Sequence, residues 1–200
     1  MGVNTQVDTI SVEILLKSDL ITTEESHDLI ERYVLRPQIT AAEILELALP
    51  AKNRVEALLQ PEFLNESKLR ELACDFSEHT LHIFESQAPE DKRPRRCLNI
   101  ARLRLAGRAS QQELKAAITE ARPSMWRFQS TQYKGAFEAS YTVLWLDFED
   151  AGMMARDVAR YAQLAAHHQE WEGRKSNTEP MVNREKEASW QLRQIAKRLG

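Results

Sequence analysis

Residues 66–108, ESKLRELACDFSEHTLHIFESQAPEDKRPRRCLNIARLRLAGR, constrain the fold of this chain more than any other stretch. Leu69, Leu72, Ala73, Phe76, Leu81, Ile83 and Phe84 recur at helical spacing over 66–86 and draw one broad apolar stripe. An acidic turn follows, then Lys92-Arg93-Pro94-Arg95-Arg96, where Pro94 suits the first turn of a new helix. Leu98, Ala101, Leu105 and Ala106 form that helix's apolar face, and Gly107 suits the position just past its end. The first helix is acidic where the second is basic. The spacing predicts that Asp75 or Glu78 pairs with Arg93 or Arg95 across the two helices.

The rest of the chain reads as helix too. A helix is expected over 7–17 with Ile10, Ile14 and Leu15 on one face, and another from Thr22 to about Leu35, ending before Pro37. Thr40-Ala41-Ala42-Glu43 and Ser110-Gln111-Gln112-Glu113 are capping boxes that open helices to about Leu49 and Ala121. Pro50 fits the first position of a helix over 51–59, and Pro123 is expected to stop the helix before it. Further helices are expected over 136–152, 153–172 and 185–199. The strand-like run Tyr141–Leu146 is read as helix because its flanks are helical. No hairpin signal is found. The fold class is therefore all-α, a multi-helix bundle of antiparallel helix hairpins. Its expected organisation is a small N-terminal helical region (1–62), a main bundle (63–172), a linker (173–183) and a C-terminal helix packing back on the bundle (184–200).

Composition excludes several classes. Hydrophobic residues make up 42% and charged residues 28%, so the chain can bury a core and is not disordered by composition. No apolar run approaches the roughly 18 residues a spanning helix needs. The first residues carry neither a basic start nor an apolar stretch, so a cytoplasmic protein is expected. Cys74 and Cys97 fall in helical patterns and read as small buried hydrophobes of a reducing compartment.

Charge is held in blocks. Residues 1–91 carry 7 Lys and Arg against 18 Asp and Glu, a net −11, whereas 92–127 carry 10 against 2, a net +8. Residues 128–172 then come to −4 and 173–200 to +4, within a whole-chain net of −3. Blocks of this kind either satisfy one another or present one sign to a partner. Glu24, Glu25, Asp28 and Glu31 form an acidic helix face, a solvated surface in the ordinary reading and a contact for a basic cleft in the functional one. Arg93, Arg95 and Arg96 are the second candidate contact. The basic segment 92–108, with Arg102, Arg104 and Arg108, also suits phosphates, although it lacks interleaved aromatics.

Asp75, Glu78, His79 and His82 share one helical stripe and could hold a divalent metal if Asp147, Glu149 or Asp150 joined them. No Glu-x-x-His pair recurs on a second helix, and His167 and His168 are adjacent, so they point to different sides. A polar flank is the commoner outcome, and no metal or cofactor is expected. Trp126, Trp145, Trp171 and Trp190 read as core anchors, with any exposed one a hot-spot candidate. There is no Gly-rich phosphate loop, no CxxC, no HExxH and no GxSxG, and no spacing recommends a Ser/His/Asp triad.

Leu72-Ala73-Cys74-Asp75, Glu78, Leu81, Ile83-Phe84-Glu85, then Asp91-Lys92-Arg93-Pro94-Arg95 and Ala101-Arg102 with Ala106-Gly107 resemble a family of alanine-rich helical immunity proteins. That family occurs in bacterial polymorphic-toxin loci and in phage and prophage genomes. Glu187, Trp190-Gln191 and Arg198-Leu199 resemble the way its members end. The chain departs from the pattern in lacking long Ala/Arg repeats after residue 115 and in having Leu105 where an aromatic is common. The resemblance implies a cytoplasmic, non-enzymatic protein that neutralises a protein target, a toxin or a host defence component, by stoichiometric binding. The alternatives are a nucleic-acid-binding regulator using 92–108 and a metal-dependent helical-bundle enzyme using Asp75, Glu78, His79 and His82.

Overall fold

The computed structural model describes residues 8–13, 37–172 and 182–200. Eight α-helices carry nearly all of it, and the all-α bundle expected from the sequence is what forms. They are α1 (Ala41–Glu46), α2 (Ala51–Leu58), α3 (Glu66–Gln87), α4 (Arg93–Leu105), α5 (Gln111–Trp126), α6 (Lys134–Thr142), α7 (Ala151–Glu172) and α8 (Val182–Leu199). The acidic group Glu24, Glu25, Asp28 and Glu31 lies outside the described residues, as does most of the expected linker.

Helix α3 is the centre. Its 22 residues pack against α4, α6, α7 and α8, and α7 in turn packs against α6 and α8. The buried side of α3 carries Leu69, Leu72, Ala73, Phe76, Leu81, Ile83 and Phe84, the stripe read from the sequence. Burying one such Leu, Ile or Phe is worth roughly 1.5–3 kcal/mol, so this face dominates the core. Phe84 meets Phe128 edge to face at 5.7 Å, and Phe76 meets Trp190 of α8 at 6.1 Å. Cys74 and Cys97 are buried and unbridged, and burial pushes both thiols up to about 12, which keeps them protonated and inert.

The local start and stop signals behave as expected. Thr40 and Ser110 each close a capping box with Glu43 and Glu113, and Asn65 caps α3 through Lys68 N. Gly107 adopts φ +69°, the left-handed geometry that ends α4.

Four expectations change. Residues 9–11 are strand, not helix: β1 (Thr9–Ser11) pairs antiparallel with β2 (Gln38–Thr40), placing Ile10 opposite Ile39. Both isoleucines are buried, and Val12 N donates to Pro37 O at 2.9 Å. β-Branched residues with a distant partner override a weak helical period here. Pro123 does not end α5, which runs on to Trp126. Burial of Met125 helps hold the last turn together and offsets part of the ~3 kcal/mol an internal proline costs. The helix expected over 136–152 is broken: α6 ends at Thr142, Val143–Trp145 form a 3-10 turn, and Asp150 caps α7 by accepting from Met153 N at 2.8 Å. Trp126 is 52% exposed rather than a core anchor, whereas Trp145 and Trp190 are half-buried. Among the described residues, no helix is long and apolar enough to cross a membrane.

Gly135 marks the closest approach of α6 to α7. A Cβ there would stand 2.9 Å from Gln169 N, 3.1 Å from Ala165 O and 3.3 Å from Ile83 Cγ2. Two of these neighbours are backbone and cannot swing aside. Gly135→Ala should therefore destabilise the fold by about 1–3 kcal/mol, despite alanine's better helix propensity. Chemical denaturation of the variant checks this, and an unchanged or raised midpoint would refute the close approach.

Candidate functional site

Three features could carry function: the charged seam between α3 and α4, the polar anchor of α8, and a cleft with an aromatic row leading into it.

The seam is built by helical spacing. Asp75, Glu78 and Glu85 project from α3 towards α4 and α8. Arg95 donates to Glu85 through Nε at 2.8 Å and Nη2 at 2.9 Å, a bidentate pair, and also to Glu78. Arg102 reaches Asp75 and Glu78, each at 3.3 Å. Arg198 of α8 donates to Asp75, and Lys68 Nζ donates to Arg198 O at 2.7 Å. The Arg95 guanidinium holds the Glu85 carboxyl below the usual carboxylate range. Arg93 turns to Asp91, at 2.6 Å, and holds that carboxyl down at about 2. Arg96 pairs with Glu120 of α5 at 2.8 Å. The expected pairing across the two helices is thus present as Arg95 with Glu78, while Asp75 pairs with Arg102 and Arg198 instead. Each of Arg93, Arg95 and Arg96 has an intramolecular carboxylate partner.

The proposed metal stripe does not assemble. Asp75 and Glu78 face arginines, His79 Nδ1 bonds Glu187 Oε2 at 2.7 Å, and exposed His82 bonds the His79 carbonyl at 2.9 Å. Asp147, Glu149 and Asp150 lie elsewhere, against Arg70 and Arg104. Among the described residues, no three His, Cys, Asp or Glu stand together to hold a metal ion.

His79 belongs to the anchor of α8. Its ring stacks on Trp190 at 3.7 Å, and Glu187, only 5% exposed, also accepts from Gln191 at 3.2 Å. Gln191 bonds Ala159 O and Gln163 of α7, so this buried polar group is internally satisfied and ties α8 to α3 and α7.

The cleft encloses about 700 Å³ between the α4–α5 corner and the 147–150 segment. Arg104, Gln111 and Lys115 line one side, and Asp147, Phe148, Glu149 and Asp150 the other. Arg70 forms the floor and holds the second wall in place, donating to Phe148 O at 3.0 Å and Glu149 O at 2.8 Å. Asp147 Oδ1 and Gln111 Oε1 are buried and accept no hydrogen bond from the described residues. Burial raises the Asp147 carboxyl above its usual range, opposed by the charges of Lys115, Arg104 and Arg70. Phe148 is 41% exposed at the mouth. It ends a row of touching rings: Phe137 on Tyr141 at 5.7 Å, Tyr141 on Tyr161 at 4.5 Å, and Trp145 on Phe148 at 5.2 Å. Sequence reasoning missed both features. Helical spacing of 137, 141, 145 and 148 hinted at the row, but Tyr161 comes from another helix.

Two measurements follow from these charges. The Arg95–Glu85 pair is partly exposed, so a double-mutant cycle of Arg95→Ala with Glu85→Ala should give coupling of about 1 kcal/mol. Arg95→Ala with Asp75→Ala should give almost none, and the reverse order would refute the pairing. Beside the aromatic row, burial raises Glu138 from 4.5 to about 7, opposed by Arg160 and Lys134. Its Oε2 is buried without a hydrogen bond. The folded chain holds this proton more tightly than the unfolded chain, so the stability it lends is full below about pH 4.5 and is lost as pH rises through about 7. Glu138→Gln should raise the melting temperature above pH 7 and change it little near pH 4; equal shifts at both would refute the assignment.

Neither the curated proteins nor the solved structures contain a match to this chain. Residues 62–123, which span α3, α4 and most of α5, match the family model described as "Imm-5 like putative immunity protein", and over that span the chain is similar to that family.

Proposed function

We propose that the chain is a protein-binding module that neutralises a protein target by stoichiometric binding. The observation that carries this reading is the match of residues 62–123 to an immunity-protein family. Neutralisation by binding needs a rigid scaffold and an interaction surface, not a reactive constellation. The α3-centred bundle is such a scaffold, with its anchoring residues satisfied internally. The target is a toxin, or a host defence component if the chain acts as a phage-encoded inhibitor. The chain works in the bacterial cytoplasm and is not an enzyme.

The nucleic-acid reading of 92–108 is the weaker one. Arg93, Arg95, Arg96 and Arg102 are bound to carboxylates of the same chain, so much of the +8 of this block is neutralised before any phosphate arrives. In the protein-binding reading, Glu24, Glu25, Asp28 and Glu31 offer a negative surface that speeds capture of a basic cleft.

The test is purification of the tagged full chain from its host, identification of what co-purifies, and titration of that protein's activity. Activity should vanish at equal molar amounts. Reversing the charge of the four acidic residues should slow association several-fold and weaken its salt dependence while leaving the fold intact. Inactivation by small sub-stoichiometric amounts would overturn the binding reading in favour of an enzyme.

A further inference from the structure

The charges of the basic block are not all consumed. Arg95, Arg96 and Arg102 pair with carboxylates of α3 and α5, and Arg93 with Asp91 in the turn before α4, whereas the side chains of Arg104 and Lys115 have no hydrogen-bond or ion-pair partner among the described residues and both line the same cleft. Asp147 Oδ1 in the opposite wall and Gln111 Oε1 in their own are buried acceptors without a hydrogen bond among the described residues. At the mouth, exposed Phe148 continues the half-buried row of Trp145, Tyr141 and Tyr161. Free cations, orphaned acceptors and an aromatic anchor thus converge within one cleft of about 700 Å³. Interfaces use these groups together: aromatic anchors for area and charge for register.

We propose that this cleft and the aromatic row beside it are the docking surface for the target, and that the occupant is an extended acidic segment of the target protein. Its carboxylates meet Arg104 and Lys115. Its backbone N–H groups reach Asp147 and Gln111. An apolar side chain lies on Phe148. The acidic partner follows from charge complementarity, because among the described residues no carboxylate stands within ion-pair distance of the two cations. A nucleic acid fits less well, since Asp147, Glu149 and Asp150 in the opposite wall repel a continuous phosphate backbone, whereas a protein segment can space its carboxylates to avoid them. The proposal rests on the protein-binding reading above and adds the surface and the chemistry of the partner.

The experiment uses the full chain in complex with the protein that co-purifies with it. A carbodiimide activates a carboxylate, which a lysine amine then attacks to form an amide, the reagent leaving as its urea. Peptide mass spectrometry should find Lys115 joined to an Asp or Glu of the target. Arg104→Gln with Lys115→Gln should weaken the purified complex about 100-fold and Phe148→Ala about 10-fold, while Lys186→Gln on exposed α8 leaves it unchanged. Melting temperatures of the Arg104, Lys115 and Lys186 variants should match the parent, whereas Phe148→Ala, which loses its ring contact with Trp145, should melt roughly a few degrees lower while remaining folded. If the cleft variants bind as the parent does and cross-links map elsewhere, the proposed surface is wrong and the binding reading stands. If the bound material is nuclease-sensitive nucleic acid, the occupant is wrong. If nothing stoichiometric co-purifies, the protein-binding reading falls and the docking surface falls with it.

Discussion

Helix α3 must serve four neighbours with one cylinder, and the rest of the structure follows from how it divides its surface. One side is hydrocarbon from Leu69 to Phe84 and is covered by α6 and α7. The flank towards α4 and α8 carries Asp75, Glu78 and Glu85, answered by Arg95, Arg102 and Arg198 between them. Partly exposed pairs of this kind contribute little individually, about 1 kcal/mol or less. Their value is geometric. Arg95 gripping two carboxylates fixes the rotation of α4 against α3, and Arg198 fixes the end of α8 on the same row. The apolar face supplies the stabilisation, and the charged flank selects one packing among those the apolar face would allow.

Much of this was legible in the sequence because it is local. The period of α3, both capping boxes, Pro94 in the first turn of α4 and Gly107 beyond its end all depend on residues within a few positions of one another. What escaped depends on distant partners. Ile10 becomes strand only because Ile39 lies beside it. Pro123 is tolerated where Met125 has a core to enter. The break after Thr142 has its signal in Asp150, whose side chain caps α7 and joins no metal-holding group among the described residues.

The candidate site was legible in one half. The spacing of acidic and basic residues on α3 and α4 foretold that the helices attract, and Glu78 with Arg95 realises it. It could not foretell how much charge that attraction consumes. Arg93, Arg95 and Arg96 looked available as a contact because their partners, Asp91, Glu85 and Glu120, lie up to a helix away. The cleft was invisible for the same reason: its walls come from α4, α5 and a turn some thirty residues later, and only the fold brings Lys115 within reach of Asp147.

Blocks of opposite charge in a sequence therefore carry two meanings that only structure separates. Where facing helices present complementary rows, as α3 and α4 do, the charge is an internal positioning device, and a polyanion gains little from competing with carboxylates held at fixed distance. Where the row outruns its complement, the leftover charge is free to act outward. Arg104 sits in the last turn of α4 and Lys115 in the first turns of α5. At that corner the chain has changed direction and left the acidic flank of α3 behind, so the carboxylate row ends before the cations do. The nearest acids are those of the 147–150 segment, whose backbone Arg70 holds across the cleft, and Asp147 feels the cations without bonding them. Two unpaired cations, Arg104 and Lys115, thereby stand at one corner beside the aromatic row that Phe148 ends. The pattern of internal pairing determines the place where a partner can be gripped, as much as the free residues themselves do.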